Sequence, residues 1–177
     1  LNLAGFSTNY QNPQASAVMD YGIYRYKWYT SLEEYMADYF QPDRPTVAVI
    51  ESTAYLKSGN LQVYYRIIEE LEARGLNVIP VLAAGGSSDQ LKVMVENFTN
   101  APDAASYLSN PTQYQTYVDL IVQMQAYGLG GESFTETTQF FTYLNAPVIR
   151  AIHSDYLTNE DWELSSEGLS TVAGDRW

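Results

Sequence analysis

The sequence predicts an α/β domain: a parallel β-sheet of about four strands with helices on both faces, of the flavodoxin-like or Rossmann-like three-layer type. One observation is a short apolar run at residues 47–50, rich in β-branched side chains, which indicates a buried strand. Another is that a segment with helical periodicity follows this run and leads into a second apolar run at residues 78–82. This strand–helix–strand order predicts parallel strands joined by a right-handed crossover.

The connection between these two strands is predicted to be a polar loop followed by one helix. The loop extends from Glu51 to Gly59, and Gly75 provides the signal that ends the helix. The apolar face of the helix consists of Leu61, Tyr64, Tyr65, Ile68 and Leu71. Ligands of parallel sheets bind beyond the carboxyl ends of the strands. The loop after the first strand is therefore the first place to look for a function.

Residues 1–29 are predicted to form an amino-terminal arm or linker, and residues 30–177 a single α/β domain. Residues 1–17 are polar and aperiodic, whereas aromatic residues alternate loosely from 19 to 29, which permits an edge strand or an extended arm. The sequence Thr30-Ser31-Leu32-Glu33 has the form of a capping box and predicts the start of a helix. Pro42 and Pro45 predict its end.

The remaining chain continues the alternation of helices and strands. The predicted elements are a glycine–serine turn at 83–88, helices around 91–98 and 104–108, a strand at 117–124, a loop at 127–131, a helix from a capping box at 133–136 to Asn145, a strand at 147–152, and a short helix around 160–164 capped by Thr158.

Composition excludes several classes of protein. The net charge is −12 with only nine Lys and Arg residues, which argues against a nucleic-acid surface. The absence of cysteine excludes disulfides, zinc–thiolate sites and thiol catalysis. No stretch approaches the roughly 18 apolar residues of a membrane span, and we expect a cytoplasmic protein. The chain does not begin with Met, so we interpret it as a piece of a longer polypeptide.

Motifs that would define a catalytic site are missing from the sequence. It contains no GxGxxG and no GxxxxGK[ST], so neither a dinucleotide fingerprint nor a phosphate-binding P-loop is present. It also lacks GxSxG, the turn that presents a nucleophilic serine. We therefore predict no catalytic residue and no metal ligand in this chain.

Four loops are expected to meet at the carboxyl edge of the sheet: 51–60, 85–88, 127–131 and 153–156. The single histidine, His153, is either a ligand or base, because imidazole titrates near neutral pH, or a hydrogen-bonded structural residue. Glu51 is either a carboxylate ligand or base, or the partner of a neighbouring group. Together with Asp155 they would suit a hard or borderline metal ion, but nothing in their spacing defines their separation.

The ligand-binding candidates extend along this edge. Ser58, Gly59 and Asn60 are predicted to form the entry to the following helix, with Gly59 in backbone angles closed to other residues and Ser58 or Asn60 capping the first turn. Tyr55 is then expected to project over the edge, towards the loop at Gly128 and the strand end at His153. A flat aromatic ligand would stack on Tyr55 in this cleft. The alternative is that Tyr55 packs on a neighbouring domain.

Several segments stand in a fixed order along the chain: Gly22-Ile23-Tyr24, Thr30-Ser31-Leu32-Glu33-Glu34-Tyr35, the residues 44–50, Leu56-Lys57-Ser58-Gly59-Asn60, the residues 68–81, the residues 145–152, Asp161-Trp162-Glu163 and Gly168-Leu169-Ser170. This ordered set resembles one family, the large subunits of aerobic-type cobaltochelatase (CobN) and of magnesium chelatase. Their order and spacing match the family from about residue 20 to residue 170.

The resemblance implies an internal domain of a large subunit that binds a tetrapyrrole. ATP-dependent AAA+ partner subunits would drive the insertion of cobalt, as in cobalamin biosynthesis, or of magnesium. Tetrapyrrole, Co or Mg, and ATP with Mg would belong to the whole complex, with no cofactor in this domain and no catalysis by the domain alone. Its partners would be the other domains of the same subunit, the ATPase subunits and the tetrapyrrole.

Two departures from the family pattern concern metal handling. Ser52-Thr53-Ala54 stands where the family often has an Arg-Ser-His-like stretch, and Arg25-Tyr26 follows Gly-Ile-Tyr where His-Pro is frequent. Neither family histidine is therefore present, and only Ser58, Gly59 and Asn60 of that loop carry over, as a binding or packing turn. The alternative function is a flavodoxin-like small-molecule binding or sensor module without catalysis.

Overall fold

The structure is a computed structural model that describes residues 19–84, 89–125, 134–151 and 159–164. Most of the glycine–serine turn, the loop with Gly128, the capping Ser133, His153 and Asp155, and Thr158 lie outside these residues, so the predictions made for them are not tested.

The described residues form six strands, seven α-helices and one short 3₁₀ turn. In chain order these are β1 (Tyr21–Arg25), β2 (Lys27–Trp28), α1 (Leu32–Tyr39), β3 (Thr46–Ser52), α2 (Thr53–Ser58), α3 (Gln62–Ala73), β4 (Asn77–Ala83), α4 (Asp89–Phe98), α5 (Ala104–Ser109), the 3₁₀ turn Pro111–Gln113, β5 (Leu120–Gln123), α6 (Phe134–Leu144), β6 (Val148–Arg150) and α7 (Asn159–Leu164).

The central part of the sheet has the predicted parallel topology. The strand order is β2-β1-β4-β3-β5-β6, and β3 pairs in parallel with both β4 and β5, while β6 pairs in parallel with β5. These are the four predicted strands. The sheet is larger than predicted because β1 adds antiparallel to β4, and β2 folds back on β1. The predicted α/β class is confirmed, with two more strands than expected.

Helices cover both faces of the sheet, because alternate residues of each strand enter two separate apolar clusters. Ala48 and Ile50 of β3 pack with α1, α4, α5 and α6. Val47 and Val49 of the same strand pack with α2 and α3. The two-residue period of a strand thus divides the core into two layers.

The aromatic segment that sequence analysis assigns to the amino-terminal arm is part of the sheet. The Tyr64 hydroxyl on α3 donates to the carbonyl oxygen of Tyr24 at 2.9 Å, and Tyr26 stacks on Tyr65 with ring centroids 4.5 Å apart. Arg25 forms a bidentate ion pair with Glu72 at the end of α3. These contacts tie the β1–β2 hairpin to the helix across the sheet edge. The domain boundary after residue 29 stays a prediction.

Helix α1 begins one residue later than the predicted capping box. The N-cap is Ser31, whose side-chain oxygen accepts from the Glu34 amide at 3.2 Å. Glu34, not Glu33, reaches back, and it accepts from the Thr30 amide and hydroxyl at 2.9 and 2.7 Å. These hydrogen bonds, led by the one from the Thr30 hydroxyl, lower the pKa of Glu34.

Replacing Ser31 by alanine should lower the free energy of unfolding by about 1 kcal/mol, because the Glu34 amide loses its acceptor. Urea denaturation followed by circular dichroism measures this change. The variant Ser31→Thr keeps an acceptor at the cap and should stay within a few tenths of a kcal/mol of the parent chain. An unchanged free energy of unfolding in Ser31→Ala would show that the cap does not stabilise α1.

The prediction of a polar loop from Glu51 to Gly59 is wrong. Glu51 and Ser52 are the last residues of β3, and residues 53–58 form helix α2. Ser52 caps this helix by accepting from the Ala54 amide at 3.2 Å. Gly59 ends it with φ 74°, a left-handed conformation that glycine adopts without strain. The predicted conformation of Gly59 is correct, but it ends α2 instead of opening α3.

In the described part of the chain, no helix is both long enough and apolar enough to cross a membrane.

Candidate functional site

The carboxyl ends of β3, β4 and β5 are joined by buried polar residues, three through their side chains and Glu51 through its backbone carbonyl. Gln90, Gln123, Gln125 and Glu51 are between 1% and 4% exposed. Buried polar groups are costly unless they are hydrogen-bonded, so the hydrogen bonds within this cluster decide its stability. We call these four residues the carboxyl-edge cluster.

Gln125 lies at the centre of the carboxyl-edge cluster, two residues beyond the end of β5. Its side-chain amide donates to the carbonyl oxygen of Ala83 at 2.9 Å and approaches that of Glu51 at 3.4 Å. Ala83 is the last residue of β4, and Glu51 is the last but one of β3. Gln125 therefore connects three neighbouring parallel strands at the edge where their loops begin.

Two further glutamines hold Gln125 in place. Gln90, in the first turn of α4, donates to the side-chain oxygen of Gln125 at 3.0 Å and to the carbonyl oxygen of Ala84 at 2.9 Å. Gln123 donates to the backbone carbonyl of Gln125 at 2.8 Å. Arg150, at the end of β6, approaches the same carbonyl at 3.5 Å. Partial desolvation at this position lowers the pKa of Arg150.

Glu51 enters the cluster from the opposite face of the sheet. Its carboxyl group accepts from the Ser52 amide at 2.6 Å, and its backbone carbonyl faces Gln125. By the alternation of β3, its side chain points to the face covered by α3. There, burial raises the pKa of Tyr64 well above its ordinary value, and neighbouring tyrosines and Glu51 raise it further. Tyr64 therefore remains a hydroxyl donor to the Tyr24 carbonyl.

The other predicted residues near this edge occupy different environments. Tyr55 is half-buried in α2 and packs against the apolar cluster under α3. Ser58, Gly59 and Asn60 are exposed. The predicted capping of α3 by Ser58 or Asn60 is wrong: its N-cap is Leu61 without a side-chain hydrogen bond, and the Ser58 hydroxyl donates to the Tyr55 carbonyl at 3.2 Å. The inserted helix α2 displaces both residues from that role.

Gly128 and His153 lie outside the described residues, so a cleft shared by Tyr55, Asn60 and His153 stays a prediction. Among the residues that the structure describes, no three His, Asp or Glu side chains are grouped closely enough to hold a metal ion. Of the carboxylates considered for metal binding, Glu51 is buried beside an amide donor.

Sequence analysis missed three members of the carboxyl-edge cluster: Gln90, Gln123 and Gln125. The available signal was the pattern Leu-Ile-Val-Gln-Met-Gln at residues 120–125, where two glutamines end an apolar strand. Because side chains alternate along a strand, Gln123 and Gln125 point to the same face of the sheet, and that face is buried. Gln90 has no such signal, because only the packing of α4 brings it to β5.

These features define a class of protein: an α/β domain with a buried polar cluster at the edge where parallel sheets bind ligands. The chain belongs to the CobN/magnesium chelatase family, since the sequence profile of that family, CobN/Magnesium Chelatase, matches residues 2–174. The resemblance found in the sequence is thereby confirmed.

Two kinds of curated relative are similar to this chain. It is 25% identical over 157 residues to the uncharacterized protein MJ1441 of Methanocaldococcus jannaschii, covering 85% of this chain and 12% of the relative. It is 23% identical over 149 residues to the chloroplastic magnesium-chelatase subunit ChlH of Oryza sativa, subspecies indica and japonica, covering 82% of this chain and 10% of ChlH. The chain thus spans about a tenth of the length of these relatives.

Proposed function

We propose that this chain is an internal domain of the large, tetrapyrrole-binding subunit of an ATP-dependent metallochelatase. The family match over residues 2–174 is the observation that carries the proposal. The coverage of only 10–12% of the relatives supports a role as one part of a larger subunit. We further propose cobalt insertion in cobalamin biosynthesis as the reaction, with magnesium insertion as the other metal to be tested.

The residues of this chain support different proposed roles for this domain and for its partner subunits. The sequence has no P-loop, so ATP hydrolysis is assigned to AAA+ partner subunits. The domain itself contributes a rigid sheet edge, because the carboxyl-edge cluster holds the ends of three strands together. The loops that leave this edge would then contact the tetrapyrrole or the neighbouring domains of the subunit. Metal insertion would need the whole complex.

Tyr55→Ala in the parent subunit should weaken tetrapyrrole binding roughly 2- to 10-fold, because a stacked aromatic contact contributes about 0.5–1.5 kcal/mol. The affinity is measured by titration with protoporphyrin IX and with a metal-free corrin, each followed by the change in the ligand's own absorbance. Tyr143→Ala is the matched control, an exposed tyrosine of α6 located near the amino end of β6.

The outcomes separate the parts of this proposal. Loss of affinity in Tyr55→Ala alone supports a tetrapyrrole at the carboxyl edge. Unchanged affinity in both variants would leave Tyr55 with a packing role, either against the apolar cluster under α3 or between domains. A parent subunit that binds neither tetrapyrrole would contradict the proposed function itself. Preference for the corrin over the porphyrin would support the cobalt reaction.

A further inference from the structure

A groove of about 710 Å³ lies on the face of the sheet covered by α1 and α4, away from the carboxyl-edge cluster. It is bordered by β1, by the first turns of α1 and by the carboxyl end of α4 with the residues that follow it. Its volume is in the range of about 300–1,000 Å³ that is typical of ligand sites. None of the four residues of the carboxyl-edge cluster lines it.

The walls of the groove combine aromatic and aliphatic residues with polar and acidic ones. They include three tyrosines from different elements, together with flexible methionine and leucine side chains. These are Met19, Tyr21, Tyr29, Leu32, Met36 and Tyr117. Tyrosine faces attract cations, and methionine adapts to irregular apolar ligands. The walls therefore suit a ligand that combines apolar surface with a positive charge.

The charged side chains that line the groove are acidic. Glu33 on α1 and Glu96 on α4 line it and are exposed, and among the described residues that line it there is no Lys, Arg or His. The carboxyl end of α4, which has no basic residue in its last turn, adds the negative end of a helix dipole. The positive end of α1 also lies here, but the Ser31 and Glu34 side chains already accept from the amides at its start.

Lys27 places its ammonium group 4.5 Å from the centre of the Tyr29 ring, and Lys92 is a second basic side chain beside the groove. It lies one turn before Glu96, 3.9 Å from its carboxylate, and donates to the Tyr21 hydroxyl at 3.3 Å. Its ammonium group also lies 5.6 Å from the centre of the Tyr21 ring. One cation, the ammonium group of Lys92, is therefore already bound at the edge of the groove, by Tyr21 and Glu96.

We propose that this groove is a docking site for a basic segment of a neighbouring protein domain, with an arginine or lysine flanked by apolar residues. The cation lies between the carboxylates of Glu33 and Glu96 and against the tyrosine rings, and the flanking apolar residues cover Leu32 and Met36. Charge complementarity selects this occupant, because the groove is acidic and the chain carries a net charge of −12. The proposal does not depend on the chelatase function.

The test uses three peptides that differ at one position: acetyl-Ala-Leu-Xaa-Leu-Ala-amide with arginine, with its uncharged isostere citrulline, or with glutamate at Xaa. Binding to the 177-residue chain is followed by amide chemical shifts in ¹H–¹⁵N spectra. We expect the arginine peptide to shift the amides of Leu32, Asn97 and Asn100, and neither other peptide to do so at the same concentration.

Two variants test whether the arginine peptide binds through the carboxylates of Glu33 and Glu96. The double variant Glu33→Gln/Glu96→Gln should weaken the arginine peptide roughly tenfold or more. Glu136→Gln, which removes an exposed carboxylate from the first turn of α6, should leave the affinity unchanged. The spectra themselves report whether each variant is folded. Equal binding of the citrulline peptide, equal affinity in the double variant, or the absence of shifts at groove residues would overturn the proposal.

Discussion

Glu72→Ala should lower the free energy of unfolding by about 2–4 kcal/mol, because it leaves the guanidinium of Arg25 without its carboxylate in a poorly hydrated position. The side chain of Arg25 is 11% exposed, and one of its two hydrogen bonds to Glu72 measures 2.7 Å. The other side of the guanidinium is covered by the Tyr39 ring, 4.1 Å away. Little water can therefore replace the lost carboxylate.

The electrostatics of Arg25 explain the size of this effect. Burial alone lowers the pKa of Arg25, but interactions with Glu72 and Tyr35, led by the hydrogen bond to Glu72, outweigh it, so the pKa is raised overall. The pair stabilises the fold because it fastens the β1–β2 hairpin to the end of α3. Its loss should release the hairpin first, which hydrogen exchange at the amides of Tyr24 and Arg25 would reveal.

The matched control is the exposed pair of Arg66 and Glu70 on α3, where the side chains are 70% and 47% exposed. Glu70→Ala should change stability by only about 0.5 kcal/mol or less, because solvent screens the pair. The double variant Arg25→Met/Glu72→Leu should recover most of the loss, since it leaves no unpaired charge. Similar losses for Glu72→Ala and Glu70→Ala in urea denaturation would contradict the prediction.

Gln125→Met should also lower the free energy of unfolding by about 2–4 kcal/mol, although methionine has nearly the same shape as glutamine. The change removes the donor to the carbonyls of Ala83 and Glu51 and the acceptor for Gln90. All of these groups are in buried surroundings, where an unsatisfied polar group costs about 1–3 kcal/mol. The free energy is measured by urea denaturation.

Gln139→Met is the control for this substitution, because Gln139 is exposed on α6. It should alter the stability by less than about 0.5 kcal/mol. A second readout comes from hydrogen exchange at the ends of β3 and β4, which should accelerate in Gln125→Met and not in Gln139→Met. If Gln125→Met is as stable as the parent chain, the hydrogen bonds of the carboxyl-edge cluster do not stabilise the fold.

The parallel core was predictable because its signals are local. The runs at 47–50 and 78–82 are apolar, β-branched and short, and they become the fully buried strands β3 and β4. The helical period from Leu61 to Leu71 likewise becomes α3, since the spacing of apolar residues alone decides which face of a helix is buried. Neither inference requires knowledge of distant contacts.

Helix α2 was missed although its end signal was visible. Its six residues, Thr53–Ser58, are too few for a periodic apolar pattern, and Ser52 caps it from the end of a strand. The sequence indicates left-handed backbone angles at Gly59, but only the hydrogen bonds of its amide show that it ends α2 and does not begin α3. The roles of Ser58 and Asn60 were therefore assigned to the wrong helix.

Local patterns in the sequence are sufficient to predict the family resemblance, the α/β class, the parallel strands and the position of Glu51 near the carboxyl end of the first parallel strand. Long-range contacts, in contrast, make β1 an added strand of the sheet and pair Arg25 with Glu72, 47 residues away in the chain. Contacts of the same kind bring Gln90, Gln125 and the Glu51 carbonyl together. The physical reason is that hydrogen bonds and ion pairs between distant segments depend on strand order and helix packing, which the periodicity of a single segment does not encode.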